Sequence, residues 1–333
     1  MDPLQPKDKK SPKILVTGAN GFIGRALCQN FTRNSIVHAQ LFRPAQKKNV
    51  GFIEDSSSTI VFGDLLDLPS LRAACRGIDI VVHTAGIAHV SDAGGKAGRS
   101  VNKDGTALLL RAALEEGVKR FIYVSSSLAG QKQIRGKNTT TYGQDKLIAE
   151  TQILKAAREK KIEAIILRPV NVYGIGMKGN LLNFAKLVGT GFMPRLPVFK
   201  GKFSLVSVND VATALTLALD CKLSDPQVLT LTDGYSYTIN EIEVQLRKVN
   251  NFKPPWLKFP AMLLFLSFSI IIILNKLKLL KTNINLTTYR NLTLSNELSN
   301  LRAKEILGFE PSTSFYDILP EITATIRNKS KMG

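Results

Sequence analysis

Six short apolar runs recur along the chain with amphipathic segments between them: Lys13–Val16, Val37–Phe42, Thr59–Phe62, Ile78–His83, Phe121–Ser125 and Ala164–Leu167. Runs of this length, separated by helical patterns rather than by two-residue turns, read as strands buried on both faces. Val228–Leu231 reads as a seventh. Helical periodicity fills the gaps at Gly24–Arg33, Ser70–Arg76, Thr106–Glu116 and Thr141–Lys160. Strands joined through helices pair in parallel, so the expected fold class is α/β, a doubly wound parallel sheet. Such sheets bind ligands beyond the carboxyl ends of their strands. Candidate functional residues are therefore sought just after each run.

The first run, Ile14-Leu15-Val16, leads into "TGANGFIG", with glycines at 18, 21 and 24. Glycine lets a backbone turn tightly and approach a pyrophosphate at a helix N-terminus. Placed between a first strand and a helix, the motif points to a nucleotide. The second run ends Leu41-Phe42-Arg43, with Lys47 and Lys48 following. A carboxylate at that place would receive the 2′-hydroxyl of NAD. None stands here, and Arg43 suits a 2′-phosphate, so NADP(H) is expected, with NAD as the alternative. The competing reading is that Arg43 stacks on adenine or is solvated.

"TTTYGQDKLIAE" carries Tyr142 and Lys146 four residues apart, on one face of a helix. An ordinary phenol, with a pKa of about 10, is a poor base at neutral pH. A nearby ammonium and an oxidised nicotinamide both favour its phenolate, and Tyr142 is then equipped to exchange a proton as a hydride moves. Ser125, Ser126 and Ser127 follow the fifth run, where a hydroxyl can hold a reacting oxygen.

With these motifs in order, the chain resembles the extended short-chain dehydrogenase/reductase family from about residue 12 to 320, and within it the nucleotide-sugar 4-epimerase and 4-ketoreductase branch. The resemblance implies a Rossmann-type nucleotide lobe and a smaller, mainly helical substrate lobe. The boundaries expected are 11–172 and 204–235 for the first, and 173–203 and 236–328 for the second. It implies that Gly18, Asn20, Gly21, Phe22, Ile23 and Gly24 wrap the cofactor pyrophosphate, and that Asp64 and Leu65 of "GDLLD" contact adenine. Thr84, Ala85 and Gly86 of "VVHTAGIAHV", and Asn102 of "VNKDGT", are implied beside the cofactor. Pro169 and Val170 of "LRPVNVYG" are implied at the nicotinamide. The implied catalytic set is Ser127, Tyr142 and Lys146, the last two also holding the cofactor. Asn171, Asn180 and Leu181, with Ser127, are the implied contacts to a nucleoside-diphosphate sugar. A homodimer through the Tyr142-bearing helix is a further expectation of the resemblance.

Two departures bear on the reaction. Dehydratases of this family follow the serine with an Asp-Glu pair, whereas Leu128-Ala129 follows Ser127 here, which argues against dehydration. The arginine that clamps the substrate diphosphate is replaced by Phe203, beside Lys202. The expected activity is hydride transfer at C4 of a nucleoside-diphosphate sugar, by a 4-ketoreductase or a 4-epimerase. One alternative is a membrane-attached reductase of a lipidic alcohol, similar to hydroxysteroid dehydrogenases. Another is an NADP-binding sensor without turnover.

Composition narrows the partners. The net charge of +19 from 45 basic and 26 acidic residues is scattered, without a basic recognition helix or a zinc-ligand pattern. That argues against nucleic acid and against a metal site. Cys28, Cys75 and Cys221 are odd in number and unpaired in spacing, as in a reducing, cytoplasmic compartment. The first ten residues lack an apolar core and read, with 329–333, as a flexible tail. "PAMLLFLSFSIIIIL" from Pro260 to Leu274, followed by Lys276 and Lys278, is too short to span a bilayer. Residues 260–280 therefore read either as a helix lying in a membrane interface or as one buried between lobes. Of the histidines, His38 and His89 carry no motif, and His83 ends a buried strand, which favours a packed or hydrogen-bonded role.

Overall fold

Each expected run becomes a strand of one parallel sheet. The computed structural model describes residues 11–49, 57–87, 100–130, 140–256, 260 and 295–331. His89, the tail 1–10 and residues 261–280 lie outside the described residues. The strands are β1 (Ile14–Thr17), β2 (His38–Phe42), β3 (Ser58–Phe62), β4 (Ile80–His83), β5 (Arg120–Val124), β6 (Glu163–Pro169) and β10 (Gln227–Leu231). Their order is β3-β2-β1-β4-β5-β6-β10, every pair parallel. This is a Rossmann-type sheet, whose order reverses between β1 and β4. The crevice at that reversal is where such sheets take their ligands.

Strand alternation sorts the core into two layers. Ile14 and Val16 face α1 (Phe22–Arg33) and α7 (Val208–Asp220), packing with Leu27, Phe31, Val211 and Leu215. Leu15 and Val81 face α2 (Leu68–Cys75), α3 (Thr106–Glu115) and α5 (Thr141–Arg158), with Leu71, Leu109, Ala149 and Ile153. Ala303 and Leu307 of α9 (Leu301–Leu307), with Phe309, join the first of these layers. The last part of the chain thus returns to the large sheet.

A third core gathers α6 (Asn180–Gly189), α8 (Ile239–Val249) and α10 (Phe315–Lys331) through Val188, Ile242, Leu246, Phe315 and Leu319. Helix α8 starts on a capping box in which the Thr238 hydroxyl accepts from the Glu241 amide and the Glu241 carboxylate accepts from the Thr238 amide. Two short sheets join this part: β7 (Asn171–Tyr173) pairs with β9 (Leu205–Ser207), and β8 (Lys202–Phe203) with β11 (Tyr237–Thr238). The buried carboxylate of Asp233 accepts from the hydroxyls of Tyr173 at 3.0 Å and Tyr237 at 2.7 Å. Those two tyrosines in turn reach Thr313 and Phe315.

Helix α10 runs to Lys331, into the segment 329–333. Among the described residues, no helix is long and apolar enough to cross a membrane.

Candidate active site

The glycine loop closes where β1, α1 and the turn after β4 meet. Gly18 has a φ of +75°, and a Cβ on it would lie 2.6 Å from the backbone nitrogen of Ala85. A Cβ on Gly24 would lie 2.0 Å from the Gly18 carbonyl oxygen. Both contacts are with backbone, so no rotamer relieves them. The helix N-terminus is thereby held against the strand end with its first amide groups available to an anion. Asn20 is half-buried in this loop. Phe22 and Ile23 pack against the core, and Phe22 bridges to the third core as well.

The turn after β4 is clamped from the side. Asn102, in a π-helical turn Ser100–Gly105, accepts from the Ile87 amide at 2.8 Å and donates to the Ile87 carbonyl at 2.9 Å. Thr84 donates to the Thr17 carbonyl at 2.7 Å, tying the ends of β4 and β1. Thr84, Ala85, Gly86 and Asn102 thus converge with Gly18. A Cβ on Gly86 would lie 3.3 Å from the Lys146 ammonium, which joins this loop to α5.

Below the loop lies a buried column. His83 Nδ1 and the Thr17 hydroxyl are 2.6 Å apart, and His83 Nε2 and the Thr106 hydroxyl 3.0 Å apart. Thr106 gives its proton to the Asn102 carbonyl at 2.8 Å, so it accepts from Nε2, and Nδ1 accepts from Thr17. Burial, and secondly the charge of Lys146, push the His83 imidazole down to about 3. The ring is neutral and stacks on Tyr123 with centroids 5.4 Å apart. His83 is thus a packed, hydrogen-bonded residue.

Tyr142 and Lys146 sit on the first turns of α5, which the Thr140 hydroxyl caps by accepting from the Gly143 amide. The buried Lys146 ammonium donates to the Val124 carbonyl at 2.8 Å and lies 4.6 Å from the Tyr123 ring centre and 5.9 Å from that of Tyr142. Burial holds Lys146 down to about 7, partly countered by Glu150, and pushes the Tyr142 phenol up to about 12. The carbonyl and the two rings recover part of the cost of burying an ammonium.

Ser125, Ser126 and Ser127 follow β5. Ser125, 3% exposed at the end of β5, has a hydroxyl without a hydrogen-bond partner among the described residues. Ser126 accepts from the Leu128 amide at 3.2 Å. Ser127 opens a four-residue turn, α4 (Ser127–Gly130). The turn packs on α5 so closely that a Cβ on Gly143 would lie 2.8 Å from the Leu128 carbonyl oxygen.

Other expected residues are more dispersed. Pro169, the last residue of β6, and Val170 just after it are buried at the carboxyl end of that strand, next to β5. Asn171 and Asn180 are exposed, Leu181 is half-buried, and Lys202 and Phe203 form β8. Asp64 turns its carboxylate to the Leu66 amide at 2.9 Å, and Leu65 flanks Gly105. Arg43 is exposed at the end of β2, where its amide donates to the Gln46 side chain. Sequence reasoning passed over Tyr123, Glu150 and Arg168. Glu150 lies two turns beyond Tyr142 on the same helix face, and Arg168 interrupts an apolar run. Those were the signals available.

Comparison with known proteins bears directly on this arrangement. Residues 14–229 match the NAD dependent epimerase/dehydratase family. A UDP-glucose 4-epimerase of Vibrio cholerae is 31% identical over 266 residues, which is 75% of this chain and 79% of that protein. The chain belongs to this family. The epimerase/dehydratase fold extends over nearly its whole length. The UDP-glucose 4-epimerase of Thermotoga maritima, solved with UDP-glucose, superposes with a TM-score of 0.70 at 22% identity, over 96% of this chain and 99% of that one. The UDP-glucuronic acid 4-epimerase of Bacillus cereus, solved with NAD, gives 0.71 at 21% identity, over 95% and 99%.

Proposed function

We propose that the protein carries out hydride transfer at C4 of a nucleoside-diphosphate sugar, using a nicotinamide dinucleotide. The observation that carries this reading is the Lys146 ammonium, buried against the Val124 carbonyl and two tyrosine rings on the helix that bears Tyr142. The cradle of Gly18 and Gly24, which no Cβ can enter without collision, with Gly86 tight against Asn102 and Lys146, fits a dinucleotide, and the unpartnered Ser125 hydroxyl suits a polar ligand group. When bound, the nicotinamide takes or returns the hydride. Tyr142 takes the proton of the 4-hydroxyl in the oxidising direction and gives one back in the reducing direction. Lys146 stabilises the phenolate and holds the ribose, and Ser127 orients the sugar oxygen. Asn171, Asn180 and Leu181 are assigned to the sugar nucleotide.

Two reactions share these residues. The relatives named above are 4-epimerases, which supports epimerisation with retained NAD. Arg43, with no carboxylate at the end of β2, supports a second reading, a 4-ketoreductase that consumes NADPH. A cytoplasmic location, which the odd, widely spaced cysteines suit, belongs to the same reading. Leu147 and Ile148, each 37% exposed on α5, suit a homodimer through that helix.

The test is to purify the protein, release bound nucleotide with acid, and assay parent and Tyr142→Phe on UDP-hexoses and their 4-keto forms. Stoichiometric NAD with UDP-glucose or UDP-N-acetylglucosamine epimerised supports the first reading. Turnover of a 4-keto sugar only with added NADPH supports the second. Undiminished activity in Tyr142→Phe removes both.

A further inference from the structure

Beneath the proton-handling pair lies an ion pair that neither reading uses. Glu150, one helical turn past Lys146 on α5, has a side chain 1% exposed. Its carboxylate accepts from Arg168 Nε at 2.8 Å, and its second oxygen is held by the other arm of the same guanidinium. Arg168 belongs to β6 and immediately precedes Pro169 and Val170. It also passes directly under the serine turn, since a Cβ on Gly130 would lie 2.5 Å from its Nη1. The absent side chain of Gly130 is what admits the guanidinium. One fork therefore ties together the helix of Tyr142 and Lys146, the turn begun by Ser127 and the strand end at Pro169.

We propose that Glu150 and Arg168 are the positioning residues of the site: the guanidinium fork fixes the Tyr142 helix to β6 and the serine turn, and the two opposed charges set the field in which Tyr142 and Lys146 exchange protons. This rests on the reading of Tyr142 and Lys146 given above. Planar two-point pairing suits the geometric task, because it fixes orientation as well as distance. A buried pair of this kind is a weak source of stability, since desolvation offsets attraction.

The electrostatic part has a definite sign. The groups around Lys146 are His83 from β4 and Tyr123 from β5, and, on its own helix, Tyr142, Asp145 and Glu150, with Arg168 of β6 behind Glu150. His83 is neutral, and Glu150 is the carboxylate whose charge raises the affinity of Lys146 for its proton. Removing the negative charge lowers the apparent pKa values of the coupled Tyr142–Lys146 pair. Removing the positive charge raises them.

The experiment measures kcat against pH for parent, Glu150→Gln, Arg168→Gln, the double variant and Arg168→Lys. In parallel it titrates the Tyr142 phenol by ultraviolet absorbance as the difference from Tyr142→Phe. Expected are a displacement to lower pH in Glu150→Gln and to higher pH in Arg168→Gln, each of about one unit, with the double variant back near the parent. Arg168→Lys keeps the charge but loses the fork, so its profile stays in place while kcat falls. Single variants that move the same way, or lose turnover with an unmoved profile, overturn the proposal and leave a structural tie. If the single variants fail to fold, a displaced profile in Arg168→Lys or in the double variant overturns it equally. The absorbance titration needs no substrate, so a parent inactive on nucleotide sugars would refute the function while the titration still judges Glu150 and Arg168.

Discussion

Gly24→Ala is the sharpest perturbation of the nucleotide cradle. The new methyl carbon would sit 2.0 Å from the Gly18 carbonyl oxygen and 2.7 Å from the Gly18 carbonyl carbon, where ordinary contact begins near 3.4 Å. Helix α1 must retreat from β1 by about 1.4 Å, the difference from the shorter distance. Alanine gains about 0.5–1 kcal/mol of helix propensity, while overpacking costs about 1–3 kcal/mol. The net loss of stability is about 0–2.5 kcal/mol, which lowers Tm by at most several degrees. Binding suffers more, because amides displaced by over an ångström cannot keep their bonds to an anion worth about 1.5–3 kcal/mol each. A nucleotide Kd raised by about 10- to 100-fold is expected for losing one such bond. The matched comparison is Gly77→Ala, where φ is +69° and nothing lies within 4 Å. It should lose about 1–2 kcal/mol through backbone strain alone and bind NAD or NADP as the parent does. Calorimetric titration with both nucleotides, alongside thermal unfolding, reads the two effects separately. A Gly24→Ala protein with the parent's affinity would refute the cradle argument.

Two further outcomes follow from the described geometry. His83 has a folded pKa of about 3 against an ordinary 6.5, so the contribution of the neutral ring is complete above about pH 6.5 and is lost as the pH falls toward 3. Urea midpoints across that window should decline in the parent and decline less in His83→Gln; equal slopes would refute the assignment. Asn102→Ala strands the amide and carbonyl of Ile87, at a cost of about 1–3 kcal/mol, and hydrogen exchange at Ile87 should quicken while that of β5 stays slow; unchanged exchange at Ile87 would show the clamp is not needed.

The strands were legible in the sequence to within two residues because most of them are buried on both faces and read as short, mainly apolar runs. Val81 and Val82, for instance, are both inaccessible to solvent although they face opposite layers. The glycine loop was legible for a related reason: three small residues at fixed spacing have few other uses between a strand and a helix. Tyr142 and Lys146 were legible because they lie within one helix. What escaped was assembled across the chain. Arg168 meets Glu150 over 18 residues, and the Tyr123 ring is met by His83 and Lys146 from separate elements. Phe22, expected only at the cofactor, also bridges two cores.

The layer that buries Ile14 and Val16 is completed by Ala303, Leu307 and Phe309. Strand β1 thus shares a core with a helix made long after it. During synthesis, that face of the sheet stays unfinished and its apolar side chains uncovered until α9 has emerged. A chain halted or clipped before α9 would keep every residue of the glycine loop and of the Tyr142 helix, yet would expose oily surface where the finished protein is sealed. Quality control in the cell would treat such a fragment as misfolded, so α9 licenses a nucleotide site built far upstream of it.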